Sequence, residues 1–144
     1  MLKYMYDRHI DEYNWFMRAD DDVYVRVDRL TQFLSQLDPN ELLYVGSPGF
    51  GRPEDRERIS LRPYEHYCMG GPGVVFSRAL LRALGPHLED CLQNVVVSYN
   101  EDVEVGRCVS RTLGVQCTWS YQVRVGGILH CATNSILHAI RLPL

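Results

Sequence analysis

The large apolar residues Trp15, Phe16 and Met17 run almost directly into three adjacent aspartates, Asp20-Asp21-Asp22, and this juxtaposition constrains the chain more than any other feature. A brief apolar run that ends in charge has the form of a buried strand whose C-terminal end opens onto a site, because ligands of α/β sheets gather at such ends. Neighbouring carboxylates repel one another, so folding them together is unfavourable unless a cation offsets the repulsion. In an extended segment alternate residues point the same way, which predicts Asp20 and Asp22 facing one ligand and Asp21 facing elsewhere. Hard oxygen ligands suit Mg²⁺ or Mn²⁺, which keep positions open for substrate phosphates. The plainer alternative is a solvated acidic turn.

The rest of the pattern alternates strands and helices. Residues 2–13 have helical apolar spacing, through Leu2, Met5, Tyr6, Ile10 and Tyr13. Asp28 is placed to cap a helix over 29–37, where Leu30, Phe33, Leu34 and Leu37 form one apolar stripe. Strands are expected at 42–45, 74–76 and 115–119. Residues 46–66 read as a long loop with one short strand near Ile59–Leu61, and loops of this length inside a compact domain tend to be functional. Ser77 is placed to cap a helix that breaks near Gly85-Pro86 and resumes to about Leu92. Asn100 is placed to cap a helix over 101–113 with an inner stripe of Val105, Cys108, Val109 and Thr112, which Gly114 ends. Together these elements predict an α/β layer arrangement around a mainly parallel sheet.

Two further groups could carry chemistry. Glu101-Asp102-Val103-Glu104 sets carboxylates in a first helical turn, where they either complement the helix dipole or, at Asp102, act as a general base. Gly70-Gly71-Pro72-Gly73 permits close backbone approach to a ligand, although the bare pattern also describes an ordinary turn. Trp119 and Tyr121 could stack on a sugar face or fill core. The histidines show no metal-ligand spacing. The net charge of -3 is mild, so nothing points to a phosphate-neutralising surface, and no nucleic-acid partner is expected. The five cysteines contain no CxxC pair, which argues against a zinc ribbon; buried thiols and one or two disulfides are both open.

Four segments, in order and in register, resemble animal chondroitin synthases: Tyr13 to Tyr24 around the aspartates, Cys68 to Val74, Glu101 to Val109, and Gly114 to Tyr121. The matching region is the N-terminal catalytic domain of those synthases, which is similar to the Fringe-like β1,3-glycosyltransferases. The resemblance implies a GT-A fold, a Rossmann-like α/β/α sandwich, here partial and lacking the first βαβ units. Residues 1–121 would form this domain and 122–144 a divergent tail. It also implies inverting transfer of glucuronic acid from UDP-glucuronate to a terminal N-acetylgalactosamine of chondroitin. The full family protein adds N-acetylgalactosamine through a second domain. By position, Asp22 would ligate Mn²⁺, Asp20 would assist the metal or contact ribose, and Asp102 would be the catalytic base. Asp21, Gly70, Gly71, Gly73, Glu101 and Trp119 would line the donor and acceptor sites. The family's downstream metal-ligating histidine has no clear counterpart, since His130 and His138 lie in the unmatched stretch. Implied partners are a UDP-sugar, a glycosaminoglycan acceptor, and a heteromer with another synthase or polymerising factor at the lumenal side of the Golgi membrane. The alternative is a non-catalytic, polymerising-factor-like partner. The intact aspartate triplet favours a synthase, and the missing uridine-binding units predict no independent transfer by the 144 residues alone.

Overall fold

The computed structural model describes residues 1–51 and 59–120, together with the backbone of two short strands at 129–131 and 139–140. The elements in chain order are α1 (Leu2–His9), β1 (Trp15–Arg18), β2 (Val23–Val25), α2 (Val27–Leu34), β3 (Tyr44–Gly46), β4 (Pro48–Gly49), β5 (Tyr67–Cys68), β6 (Val74–Ser77), α3 (Arg78–Leu84), α4 (Glu101–Leu113), β7 (Thr118–Trp119), β8 (Leu129–Cys131) and β9 (Ala139–Ile140). Between α3 and α4, residues 85–95 pass through single turns of 3₁₀, α and π character. Pro86 at the start of that stretch tightens the helix.

The central sheet has the order β7-β3-β6-β1-β9. Its strands are mostly antiparallel, which corrects the expected parallel sheet. Strand β6 opposes both β1, with Phe16 across from Phe76, and β3, with Val45 across from Val75; only β3 and β7 run parallel. The reason is the connection. Among the described residues the chain leaves β3, forms the antiparallel β4–β5 ribbon and re-enters the sheet reversed at β6. Consequently β1, β3 and β7 share one direction, and their C-terminal ends lie with the N-terminal end of β6.

Strand alternation sorts the side chains into two layers. Phe16, Tyr44 and Phe76 face a core completed by Leu2 and Met5 of α1, Leu80, Leu81 and Leu84 of α3, and Val109 of α4. Trp15, Met17, Val45 and Val75 face the opposite side and pack on Leu30 and Leu34 of α2. Each fully buried large side chain contributes about 1.5–3 kcal/mol.

Several local expectations shift. Helix α2 begins at Val27, so Asp28 lies in its first turn rather than at the cap. Helix α1 stops at His9, well short of Tyr13. Strands β3 and β7 are shorter than expected and end one residue later or begin three residues later than predicted. Ile59 is helical and buried, in place of the expected short strand. Ser77 does cap α3, its Oγ accepting the Leu80 N–H at 3.1 Å. Helix α4 spans the expected residues, and Gly114 ends it at φ 68°. Asn100 stands at its N-cap without a capping bond; the carboxylate of Glu104 instead accepts the N–H groups of Val97 and Ser98.

Two disulfides resolve the cysteine question, Cys68–Cys117 and Cys91–Cys108. The first joins β5 to the residue preceding β7, and the second joins the mixed helical stretch to α4.

Candidate functional site

The shared end of β1, β3, β7 and β6 carries the chemistry. Arg18 ends β1 and stands opposite Val74 in the register. Its Nη2 pairs with Asp20 Oδ1 at 3.0 Å and also with Glu101 Oε2. This one guanidinium therefore ties the aspartate triplet to the first turn of α4. Asp102, next along, accepts the Gly70 N–H at 3.1 Å and the Val103 N–H at 2.8 Å. Two backbone donors from different elements thus fix its carboxylate at the mouth of the glycine turn.

That turn is itself closed by Gly73 N–H donating to the Gly70 carbonyl at 2.8 Å, with Gly73 at φ 87°. Gly70 meets Arg18 so closely that an added Cβ would lie 1.9 Å from Nη1, whereas one on Gly71 would meet nothing within 4 Å. Three of the residues expected at the site, Asp102, Glu101 and Gly70, are therefore in contact directly or through one partner, and Asp20 joins them through Arg18. Trp119 lies at the C-terminal end of β7, opposite Gly46, and is 57% exposed, so it is not a core residue. Tyr121 and His138 lie outside the described residues.

The aspartate triplet departs from the extended geometry expected of it. The Val23 N–H donates to the Asp20 carbonyl at 3.3 Å, so Asp21 and Asp22 occupy the middle of a tight turn between β1 and β2. Asp21 is exposed, while Asp20 and Asp22 are partly buried. The alternation argument does not apply to a turn, since it requires a pleated strand.

Sequence reasoning overlooked two contributors. Arg18 was passed over, although a cation two residues before an acidic run is a readable sign of charge neutralisation. Its Nη1 is buried without a hydrogen-bond partner among the described residues. Tyr44 lies beneath the site, its hydroxyl accepting the Cys68 N–H at 3.1 Å. Burial pushes that hydroxyl well above the ordinary tyrosine value, with the nearby Asp102 and Glu101 charges adding to the rise. The backbone of His130, in β8, pairs opposite Tyr24 of β2.

A family description, "Fringe-like", matches residues 1–132. The chain belongs to the Fringe-like family. It is 50% identical to mouse chondroitin sulfate synthase 3 over 124 residues, 86% of this chain and 14% of that protein. It is 36% identical to human chondroitin sulfate glucuronyltransferase over 84% of the chain and 15% of the relative. It is 31% identical to the Xenopus laevis β-1,3-N-acetylglucosaminyltransferase lunatic fringe over 77% of the chain and 32% of the relative. The Fringe-like chain thus spans about a seventh of the chondroitin synthase sequences it resembles, and its likeness is to named glycosyltransferases. Its mixed α/β sandwich is consistent with the GT-A expectation.

The resemblance implies a divalent ion beside the aspartates. Among the described residues no group of three or more His, Cys, Asp or Glu side chains gathers for a metal. Asp20 and Asp22 supply two hard oxygen donors in one turn, and a Mg²⁺- or Mn²⁺-type ion is held by one or two carboxylates plus substrate phosphates. Two carboxylates would suffice for such an ion only with substrate phosphates completing the shell, and Asp20 Oδ1 is already paired with Arg18. No described helix is long and apolar enough to cross a membrane.

Proposed function

We propose that this chain carries the acceptor-activating and metal-holding part of an inverting glycosyltransferase of chondroitin synthesis, with UDP-glucuronate as donor and a terminal N-acetylgalactosamine as acceptor. The observation that carries this reading is the placement of Asp102: a carboxylate fixed by two backbone N–H groups at the same sheet end as the aspartate turn. Inversion by one displacement needs one base and a neutralised leaving group, with no covalent nucleophile.

In this reading Asp102 takes the proton from the acceptor hydroxyl. Asp22, with Asp20, holds Mn²⁺. A bound divalent ion neutralises charge on the departing diphosphate. Arg18 holds Asp20 and Glu101 in register across the site. Gly70, Gly71 and Gly73 form the turn against which the sugar lies, with Asp21, Glu101 and Trp119 at its rim. The two disulfides support an oxidising compartment, consistent with the Golgi lumen.

A second reading, a polymerising-factor-like partner without turnover, is favoured by one observation: Asp20 is already engaged by Arg18. The two separate experimentally. In the full-length protein, Asp22→Asn is expected to abolish Mn²⁺-dependent UDP binding, measured by calorimetry with and without the metal. UDP affinity that is unchanged in the variant counts against the metal site.

A further inference from the structure

A second cleft, about 400 Å³ in volume, is lined by Phe50, Leu61, Arg62, Pro63, Tyr64 and Glu65. It belongs to the long loop between β4 and β5 and contains none of the residues assigned above. Its aromatic rings face outward, Tyr64 being 95% exposed and Phe50 59% exposed. The Phe50 ring is backed by His66, with ring centroids 5.3 Å apart.

Residues 59–66 of this loop are held from beneath. Buried Glu65 pairs with Arg111 of α4 at 3.3 Å and accepts the Arg62 N–H at 2.8 Å. Arg107, fully buried in α4, donates to the carbonyls of Ser60 and Ile59. The His66 N–H reaches the Gln116 side chain at 3.2 Å. Within this frame Tyr64 adopts φ 67°, a left-handed conformation that bulky residues rarely take. Such strain persists where the surroundings impose it, and it concentrates at ligand sites. The result is an aromatic ring presented to solvent on an anchored backbone, which lowers the entropic cost of binding.

We infer that this cleft is a subsite for an anionic glycan chain, gripping the acceptor some sugars away from its reacting end. The inference rests on the glycosyltransfer reading above and extends it to acceptor length. A sugar ring offers an apolar C–H face to aromatic surfaces such as Tyr64 and Phe50, and polar groups to the few charged side chains that orient it. The planar fork of Arg62 matches a uronate carboxylate. Glu65, held by the Arg111 guanidinium and the Arg62 backbone N–H, does not repel that carboxylate as an unpaired charge would. The chain from Glu65 to Gly70 covers at most about 18 Å, so the cleft lies within the reach of an oligosaccharide whose end sits at Asp102.

The test uses the full-length protein with Tyr64→Gly, Phe50→Ser and Arg62→Gln. Tyr64→Gly removes the ring at a φ that glycine adopts freely, so its loss of binding is not a folding defect. Calorimetry with an unsulfated chondroitin nonasaccharide, without donor, is expected to show Kd raised by roughly tenfold in each variant. The transfer assay is expected to show a matching rise in KM for the nonasaccharide, with KM for a trisaccharide and kcat unchanged. Wild-type nonasaccharide affinity in all three variants overturns the subsite, and equal competition by a neutral chitin hexasaccharide overturns its anionic character. If the wild type transfers no sugar yet binds the nonasaccharide through Tyr64 and Arg62, the glycan subsite stands and the transfer reading falls.

Discussion

Gly70 and Gly71 stand side by side in one turn and differ in what surrounds them. A methyl group on Gly70 collides with the Arg18 guanidinium, which is held by Asp20 and Glu101, while one on Gly71 projects into open space. Gly70→Ala must therefore displace Arg18 and loosen the Gly70 N–H that holds Asp102. Transfer by the full-length protein is expected to fall by about a hundredfold, the scale of an ångström-sized misplacement at a reacting centre. Gly71→Ala is expected to leave stability within about 0.5 kcal/mol by thermal melting. Wild-type transfer by Gly70→Ala counts against Arg18 as the link between turn and helix. At this scale the carboxylates and glycines were readable in the sequence because their chemistry is written in adjacent letters. Arg18 and Tyr44 were not, because their roles depend on neighbours distant in sequence: Glu101 for one and Cys68 for the other.

Among the elements, α4 joins the site to the rest of the fold. Its first turn presents Asp102, and its buried face contains the ion pair of Glu104 with Arg107 at 2.9 Å. Burial alone would raise the Glu104 carboxyl, but the Arg107 guanidinium and the Ser98 and Val97 donors outweigh it and hold the group below the ordinary glutamate value of 4.5. Glu65 shows the same balance, its burial outweighed by the Arg62 N–H and then by Arg111. A carboxylate with a depressed folded-state pKa stabilises the fold above its unfolded pKa and loses that contribution as pH falls through the folded value. Stability is thus expected to drop on acidification below about pH 4.5, with no contribution from these groups to changes between pH 6 and 8. Glu104→Gln leaves Arg107 buried with its charge uncompensated, which is expected to cost about 3–5 kcal/mol at neutral pH and to flatten the acid limb, measured by denaturant unfolding across pH. A variant as stable as wild type contradicts the role of the pair. The span of α4 was legible because Asn100 and Gly114 bracket an amphipathic stretch. Its buried face was not, since Glu104 and Arg107 break the apolar stripe and only their mutual pairing lets them enter the core.

At the scale of the whole molecule, a mixed sheet lies between two helical layers, with disulfides fastening the loops on one side. The layers were legible from the apolar runs at 15–17 and 74–76 and the amphipathic helices. The strand directions were not, because apolar runs of this length are equally consistent with either direction, and the β4–β5 ribbon that reverses the chain is only two residues a side. Closure of the Cys91–Cys108 and Cys68–Cys117 loops restricts the unfolded chain by about 3 and 4 kcal/mol respectively. Reduction is expected to lower the denaturation midpoint markedly, and a midpoint indifferent to reductant counts against both bridges. The central claim is that this sheet end delivers Asp102 to an acceptor hydroxyl. Its most direct test is Asp102→Asn in the full-length protein, assayed for glucuronate transfer alongside UDP binding. The expected result is unchanged UDP affinity with transfer reduced by roughly a thousandfold; wild-type turnover in that variant contradicts the account.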